Sequence, residues 1–350
     1  MPQCLFCLRE WEGDGVHFTD EHVFPAALGG NLVVKHGACD KCNHGNSKFE
    51  QALAIELPPI RMLLQIPDRY GKVPHTAATL VTPEKTFDGR VKGDGSVVVK
   101  PVITEEKNEK GEREFVHRFL NDAQKEKLRE QEKEKGQQLI ETGPGDPVTA
   151  EVHIGGDLMV IGSPEGLRTV AKIAYVGLAH LVGVKVAVGD AFKEVRQLIL
   201  EGKPEDVTHF FTHKRYLEAC QQGPHQHSIA IAARRDTHRV DAIVRLFGEL
   251  TYFVVLSDHY DGADFCTTLV YDAYRGEENE MLFDHEQAEI LQMEDVANSP
   301  ETVWGDLERF GRNFCAFLER MMEQKRLEDI APKKLAAKAV AEPAREGPIN

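Results

Sequence analysis

Two Cys-x-x-Cys pairs, Cys4-Leu5-Phe6-Cys7 and Cys39-Asp40-Lys41-Cys42, lie within the first 42 residues. Each pair makes a tight knuckle that aims two thiolates at one tetrahedral ion, and two knuckles complete a closed zinc shell. The first fifty or so residues are rich in Cys, His, Gly and Asn and lack long apolar runs. A segment with so little core needs a staple to fold. The gap between the pairs is wider than that of a plain zinc ribbon, so the enclosed residues are expected to hold structure of their own. Seven cysteines is an odd number. With four of them paired by spacing, a metal site in a reducing cytosol fits better than a disulfide framework. Cys220, Cys266 and Cys315 have no partner spacing and are expected to pack as small apolar residues.

The remainder of the 350-residue chain calls for a second domain. Its 41% hydrophobic and 28% charged residues suit a soluble globular protein. No run approaches the roughly 18 apolar residues of a membrane span, and Met1-Pro2-Gln3-Cys4 does not read as a secretory signal. A cytoplasmic protein is expected. The formal net charge of −15 argues against a general nucleic-acid coat without excluding a local site.

Along the chain, a helical apolar pattern begins at Gln51 and is broken by Pro58-Pro59. Residues 76–104 read as a small antiparallel piece, and the charged run Asp122–Lys135 as an exposed helix. Val152–Ile161 reads as a strand. Ser163-Pro164 is a helix start, followed by Leu167, Val170, Ala174, Leu178 and Leu181 at helical spacing. Strands are expected at Ser228–Ala233, Arg239–Phe247 and Leu250–Leu256, the last two joined by a turn at Gly248-Glu249. A final helix carries Val303, Leu307, Phe310, Phe314, Phe317 and Met321 on one face. His225-Gln226-His227 reads as a solvated loop, and Asp258–Asp264 as a turn without the spacing of an EF-hand.

Between the cysteine pairs lies Thr19-Asp-Glu-His-Val-Phe-Pro-Ala-Ala-Leu-Gly-Gly-Asn31, and after the last cysteine comes Asn43-His-Gly-Asn-Ser-Lys48. An acidic residue plus His, then Pro, Gly-Gly and Asn, then Cys-x-x-Cys followed at once by Asn, resembles the zinc-containing Cys-x-x-Cys subgroup of the HNH endonuclease family. Residues 4 to about 50 carry the resemblance.

It implies an α+β protein whose N-terminal ββα-metal module holds a structural zinc and precedes a larger mixed α/β domain. The expected divisions are 1–66 for the nuclease module and 67–145 for a small β segment with a charged helical connector. Residues 146–330 form a C-terminal domain, and 331–350 a disordered tail. His22 is implied as the general base, and Asn31 as the brace that orients it. Glu21 and Asn43 are implied as ligands of a catalytic Mg²⁺ or Mn²⁺, with His44 and Asn46 as alternates to Asn43 and Asp20 to Glu21. Lys48 is implied as a phosphate contact. Cys4, Cys7, Cys39 and Cys42 hold the Zn²⁺. Since Asn43 is bonded to Cys42, the zinc also fixes where Asn43 points.

The function implied is metal-dependent hydrolysis of nucleic-acid phosphodiester bonds, with DNA the expected substrate and restriction or anti-phage defence the expected setting. The alternative is a non-catalytic zinc module that binds nucleic acid or protein, which has no need of Glu21, His22 and Asn43. No motif assigns the C-terminal domain a task. Self-association or a protein partner through it stays open, and no membrane partner is expected.

Overall fold

Strand β1 (Phe18–His22) pairs antiparallel with β2 (Val33–Cys39), Phe18 opposite Cys39 and His22 opposite Val33. A bulge between Thr19 and Glu21 shifts the register. Between the strands, Pro25 leads into a single 3-10 turn at Ala26–Leu28, which Gly29 closes in the left-handed region at φ 86°. Gly30 is needed for a different reason: a Cβ there would lie 1.9 Å from the Phe24 carbonyl oxygen. The Gly-Gly pair therefore folds the loop back onto its own entry strand. The structure, a computed structural model, describes residues 3–10, 17–68, 70–81, 86–92, 96–99, 102–107, 113–118, 122–135, 151–154, 162–202, 208–210, 222–248, 250–279 and 316.

Helix α1 (Asp40–Glu56) starts at the second knuckle, with Cys39 at its N-cap. The helix thus begins well before the apolar periodicity expected from Gln51. Its first turns carry Asn43, His44, Gly45 and Asn46, all modest or poor helix formers. Burial holds this stretch instead, through Cys42, Asn46, Phe49 and Leu53 at spacings of three and four along one face. Pro58 then opens the short α2 (Pro58–Leu63), where a missing N–H costs nothing. Together β1, β2 and α1 form the expected ββα arrangement.

Residues Val73–Gly156 make a separate compact unit. It holds β3 (Thr76–Val81), β4 (Thr86–Val91), β5 (Val97–Val99), β6 (Val102–Lys107), β7 (Arg113–Arg118), α3 (Asp122–Glu134) and β8 (Glu151–Ile154). One antiparallel sheet has the order β5-β4-β3-β8, and β6 and β7 form a hairpin. That hairpin occupies a stretch whose charge concealed any strand pattern. The charged helix is α3, as expected.

The other unit joins Met1–Lys72 to Asp157–Asn350. Residues 1–66 are thus grouped with the part of the expected C-terminal division that begins at Asp157, while 146–156, with β8, falls in the Val73–Gly156 unit. The later part of the joined unit begins with α4 (Pro164–Val182), α5 (Val184–Ala187) and α6 (Lys193–Glu201). Then come β9 (Thr208–Phe210), β10 (Gln226–Arg234), β11 (Arg239–Leu246), β12 (Leu250–Ser257), β13 (Phe265–Asp272) and β14 (Glu277–Asn279). These strands build an all-antiparallel sheet in the order β14-β13-β10-β11-β12-β9. The β11–β12 turn falls at Phe247 and Gly248, both left-handed. Helices and sheets in these proportions make the fold α+β.

Helix α4 is the element that unites this body. Ser163 caps it by accepting the Gly166 N–H at 3.1 Å, and Pro164 takes the first helical position. One side of α4 packs on the sheet strands, and another packs on α1 and β2. Thr169 through Ala179 are consequently buried without a break. Small residues permit the close approach: a Cβ on Gly177 would lie 2.4 Å from Ile229 Cδ1.

Three expectations meet corrections or limits. His227 is wholly buried within β10, not solvated in a loop. Cys266 is exposed on β13, so it does not pack as a core residue. The final helix expected around Val303–Met321 lies, apart from residue 316, outside the described residues, as do Cys220, Cys315, the strand residues beyond Ile154 and the tail from 331. Among the described residues no helix is long and apolar enough to cross a membrane.

Candidate active site

The four knuckle cysteines converge, with all their sulfurs within 4.8 Å of one another. Cys7 Sγ and Cys39 Sγ are 3.7 Å apart. A tetrahedron with Zn–S bonds of about 2.3 Å has edges of about 3.8 Å, so the spacing fits a structural zinc. A hydrogen bond from the Cys42 thiol lowers the Cys4 pKa to about 5, and the same contact pushes Cys42 up. Burial raises Cys7. Thiolate character therefore begins at Cys4, the most enclosed of the four, which also accepts the Cys39 N–H at 3.4 Å.

Residues distant in sequence brace this cluster. The Tyr175 hydroxyl on α4 donates to the Leu5 carbonyl at 2.7 Å, inside the first knuckle, with the Ala187 carbonyl at 3.0 Å. Phe6 and Tyr175 pack ring to ring, with centroids 6.0 Å apart.

Glu21 lies on β1 beneath α1 and is only 2% exposed. One carboxylate oxygen, Oε1, is ion-paired with Nζ of Lys172, which also binds Glu50 Oε1. Lys172 comes from the middle of α4 and is 1% exposed. An ammonium in such a place is tolerated only when well paired. Burial works against its charge, yet Glu50 and Glu21 together hold its pKa above the usual value. Burial raises the Glu21 pKa, and Lys172 offsets this only in part. Glu21 Oε2 is buried without a hydrogen-bond partner.

The other residues implied by the resemblance take different places. His22 ends β1 and is half-buried. Asn43 is half-buried in the first turn of α1, directly after Cys42. His44 and Lys48 are exposed on α1, whereas Asn46 is buried and its Nδ2 has no partner. Asp20 is committed elsewhere, accepting from Lys35 Nζ at 2.9 Å and the His36 N–H at 3.1 Å. Both of these bonds lower its pKa.

The donor types of Glu21 and Asn43 suit a hard divalent ion, and the orphaned Glu21 Oε2 is an oxygen able to serve one. The other oxygen already faces a cation. Among the described residues, His, Cys, Asp or Glu ligand atoms gather in threes or more at two places: the four cysteines and the exposed Glu194, Asp258 and His259. Neither includes Glu21.

The loop before β2 is held from the C-terminal sheet. Tyr271 on β13 accepts the Asn31 N–H at 3.0 Å and donates to Asn31 Oδ1 at 2.7 Å, with the Gly29 carbonyl 3.1 Å away. His227 accepts the Phe247 N–H at Nδ1, 3.0 Å, so its Nε2 carries the hydrogen and donates to the Leu28 carbonyl at 2.9 Å. Burial lowers the His227 pKa to about 4.

Sequence reasoning missed Lys172, Glu50, Tyr175 and Tyr271. The one visible signal was Lys172 itself, a lone charge between Val170-Ala171 and Ile173-Ala174 on an apolar helix.

Residues 4–56 match the family model described as HNH endonuclease. Comparison with curated proteins gives no match, and neither does comparison with solved structures. The matched span runs from the first knuckle cysteine to the last residue of α1, so the N-terminal ββα segment matches the HNH endonuclease family, and its four-cysteine cluster fits the zinc-binding subgroup.

Proposed function

We propose that the protein is an endonuclease that hydrolyses nucleic-acid phosphodiester bonds, with DNA as substrate. The observation that carries this reading is the family match over residues 4–56 together with the cysteine cluster beside Asn43. His22 acts as general base, its imidazole taking a proton from the attacking water. Asn31, clamped by Tyr271, keeps the loop beside His22 in place. Lys48, exposed on α1, meets a phosphate oxygen. A bound Mg²⁺ or Mn²⁺, held by Glu21 and Asn43, would supply charge stabilisation at the phosphate. Restriction or defence against phage is the setting that suits such an activity.

A second reading is favoured by one contact. Lys172 already neutralises part of Glu21, as suits a zinc module that binds nucleic acid or protein without cutting. Incubation of the zinc-loaded full chain with plasmid, single-stranded DNA and RNA, with and without Mg²⁺ or Mn²⁺, separates the two. The nuclease reading expects ion-dependent cleavage of DNA that His22→Ala abolishes. Binding without cleavage of any substrate would favour the second.

A further inference from the structure

Lys172 joins three elements at one point: Glu21 of β1, Glu50 of α1, and its own helix α4. An ammonium that touches both carboxylates stands where any cation bridging them would stand. Two ionised carboxylates and one ammonium sum to −1, whereas a divalent ion in the ammonium's place would bring the group to neutrality. Asn43, Asn46 and Glu50 occupy positions i, i+3 and i+7 of α1, so they share a face. Glu21 Oε2 is buried without a partner, so this carboxylate is left partly unsatisfied with Lys172 in place.

Lys172 cannot simply swing into water. Its neighbours from Thr169 to Ala179 are all buried. Three residues further along α4, Tyr175 is tied to Leu5 and Ala187. The positive charge beside Glu21 is therefore a fixed property of this fold. Like charges a few ångströms apart in a poorly hydrated site repel strongly.

We infer that Lys172 sets the divalent-ion affinity of the nuclease site by competing with the ion for Glu21. The inference rests on the proposed role of Glu21 as an ion ligand. It makes α4, far from the module in sequence, the element that governs ion loading.

The test is Mn²⁺ binding to the zinc-loaded full chain, followed by the electron paramagnetic resonance of free Mn²⁺. Lys172→Met keeps the side-chain length and removes the charge. It should bind Mn²⁺ about tenfold or more tightly than the parent, and Glu21→Gln added to it should abolish the gain. Zinc content and thermal unfolding report whether the variant folds. If Lys172→Met does not fold, Lys172→Met with Glu50→Gln removes one charge of each sign and should still bind Mn²⁺ more tightly than the parent. Unchanged or weaker Mn²⁺ binding in the folded variant overturns the inference and leaves Lys172 a structural counter-ion. Cleavage is scored separately at saturating Mn²⁺, with His22→Ala as control. Tighter Mn²⁺ binding without cleavage by parent or variant would overturn the nuclease reading but not the competition. Cleavage without the Mn²⁺ shift would do the reverse.

Discussion

Tyr271 and Asn31 stand 240 residues apart in the chain, yet the Tyr271 hydroxyl both receives the Asn31 N–H and donates to its side-chain oxygen, at 3.0 and 2.7 Å. The partner that holds Asn31 is thus a buried tyrosine of the C-terminal sheet. Tyr271→Phe keeps the ring and removes the hydroxyl. The expected loss is about 1 kcal/mol of stability, the usual net worth of such a bond, read by chemical denaturation. On the nuclease reading, cleavage should fall several-fold while zinc content holds. Unchanged cleavage would show that Asn31 needs no clamp.

The cysteine cluster should bind one zinc per chain, measurable by elemental analysis of protein purified without added metal. Cys42→Ser removes one ligand and, with it, the tie between the first knuckle and the start of α1. Metal-binding energy is folding energy in a segment this small. The variant should therefore lose zinc and expose the core around Leu5 and Phe6, which are buried in the parent. Full zinc occupancy and parental stability in Cys42→Ser would contradict the assignment.

His22→Ala separates chemistry from architecture. His22 lies outside the cysteine cluster, so the variant should retain zinc and unfold near the parent's temperature. Cleavage, where the parent shows it, should fall by at least about 100-fold, as expected for a lost general base. Residual activity close to the parent's would place the base elsewhere.

Acid should destabilise the junction between the loop and the sheet. The folded His227 has a pKa of about 4 against an ordinary 6.5, because it is buried and neutral. Between those values the unfolded chain binds a proton that the folded chain does not. The stabilising contribution is whole above about pH 6.5 and is lost as pH falls through 4. Over that window it amounts to about 3 kcal/mol. Denaturation at pH 7 and pH 5, with zinc content checked at each, should show this slope. His227→Gln should be less stable at pH 7 and show a flatter profile. A parent profile that is flat from pH 7 to pH 5 would argue against a buried neutral imidazole.

The module and its motif were legible in the sequence because knuckles, turns and caps are local. Cys-x-x-Cys geometry, the Gly29-Gly30 turn and the Ser163-Pro164 helix start each depend on a few adjacent residues. The hairpin turn at Gly248 was legible for the same reason. What escaped were partners chosen by packing across the chain: Lys172 on Glu21, Tyr271 on Asn31, His227 on Leu28. The start of α1 at Asp40 was hidden because the knuckle and the contact with α4 override weak helix propensity there. His225-Gln226-His227 looked hydrophilic, but the imidazole of His227 finds both a donor and an acceptor in the backbone and so can be buried.

The Leu5 carbonyl receives its hydrogen from Tyr175, 170 residues later. During synthesis the two Cys-x-x-Cys pairs emerge ahead of α4. Helix α4 must also leave the ribosome before Leu5 finds its donor and Glu21 its lysine. A nascent chain therefore passes through a stage in which Glu21 is already made and Lys172 is not, and the module meets the cell's divalent ions before its own internal cation arrives.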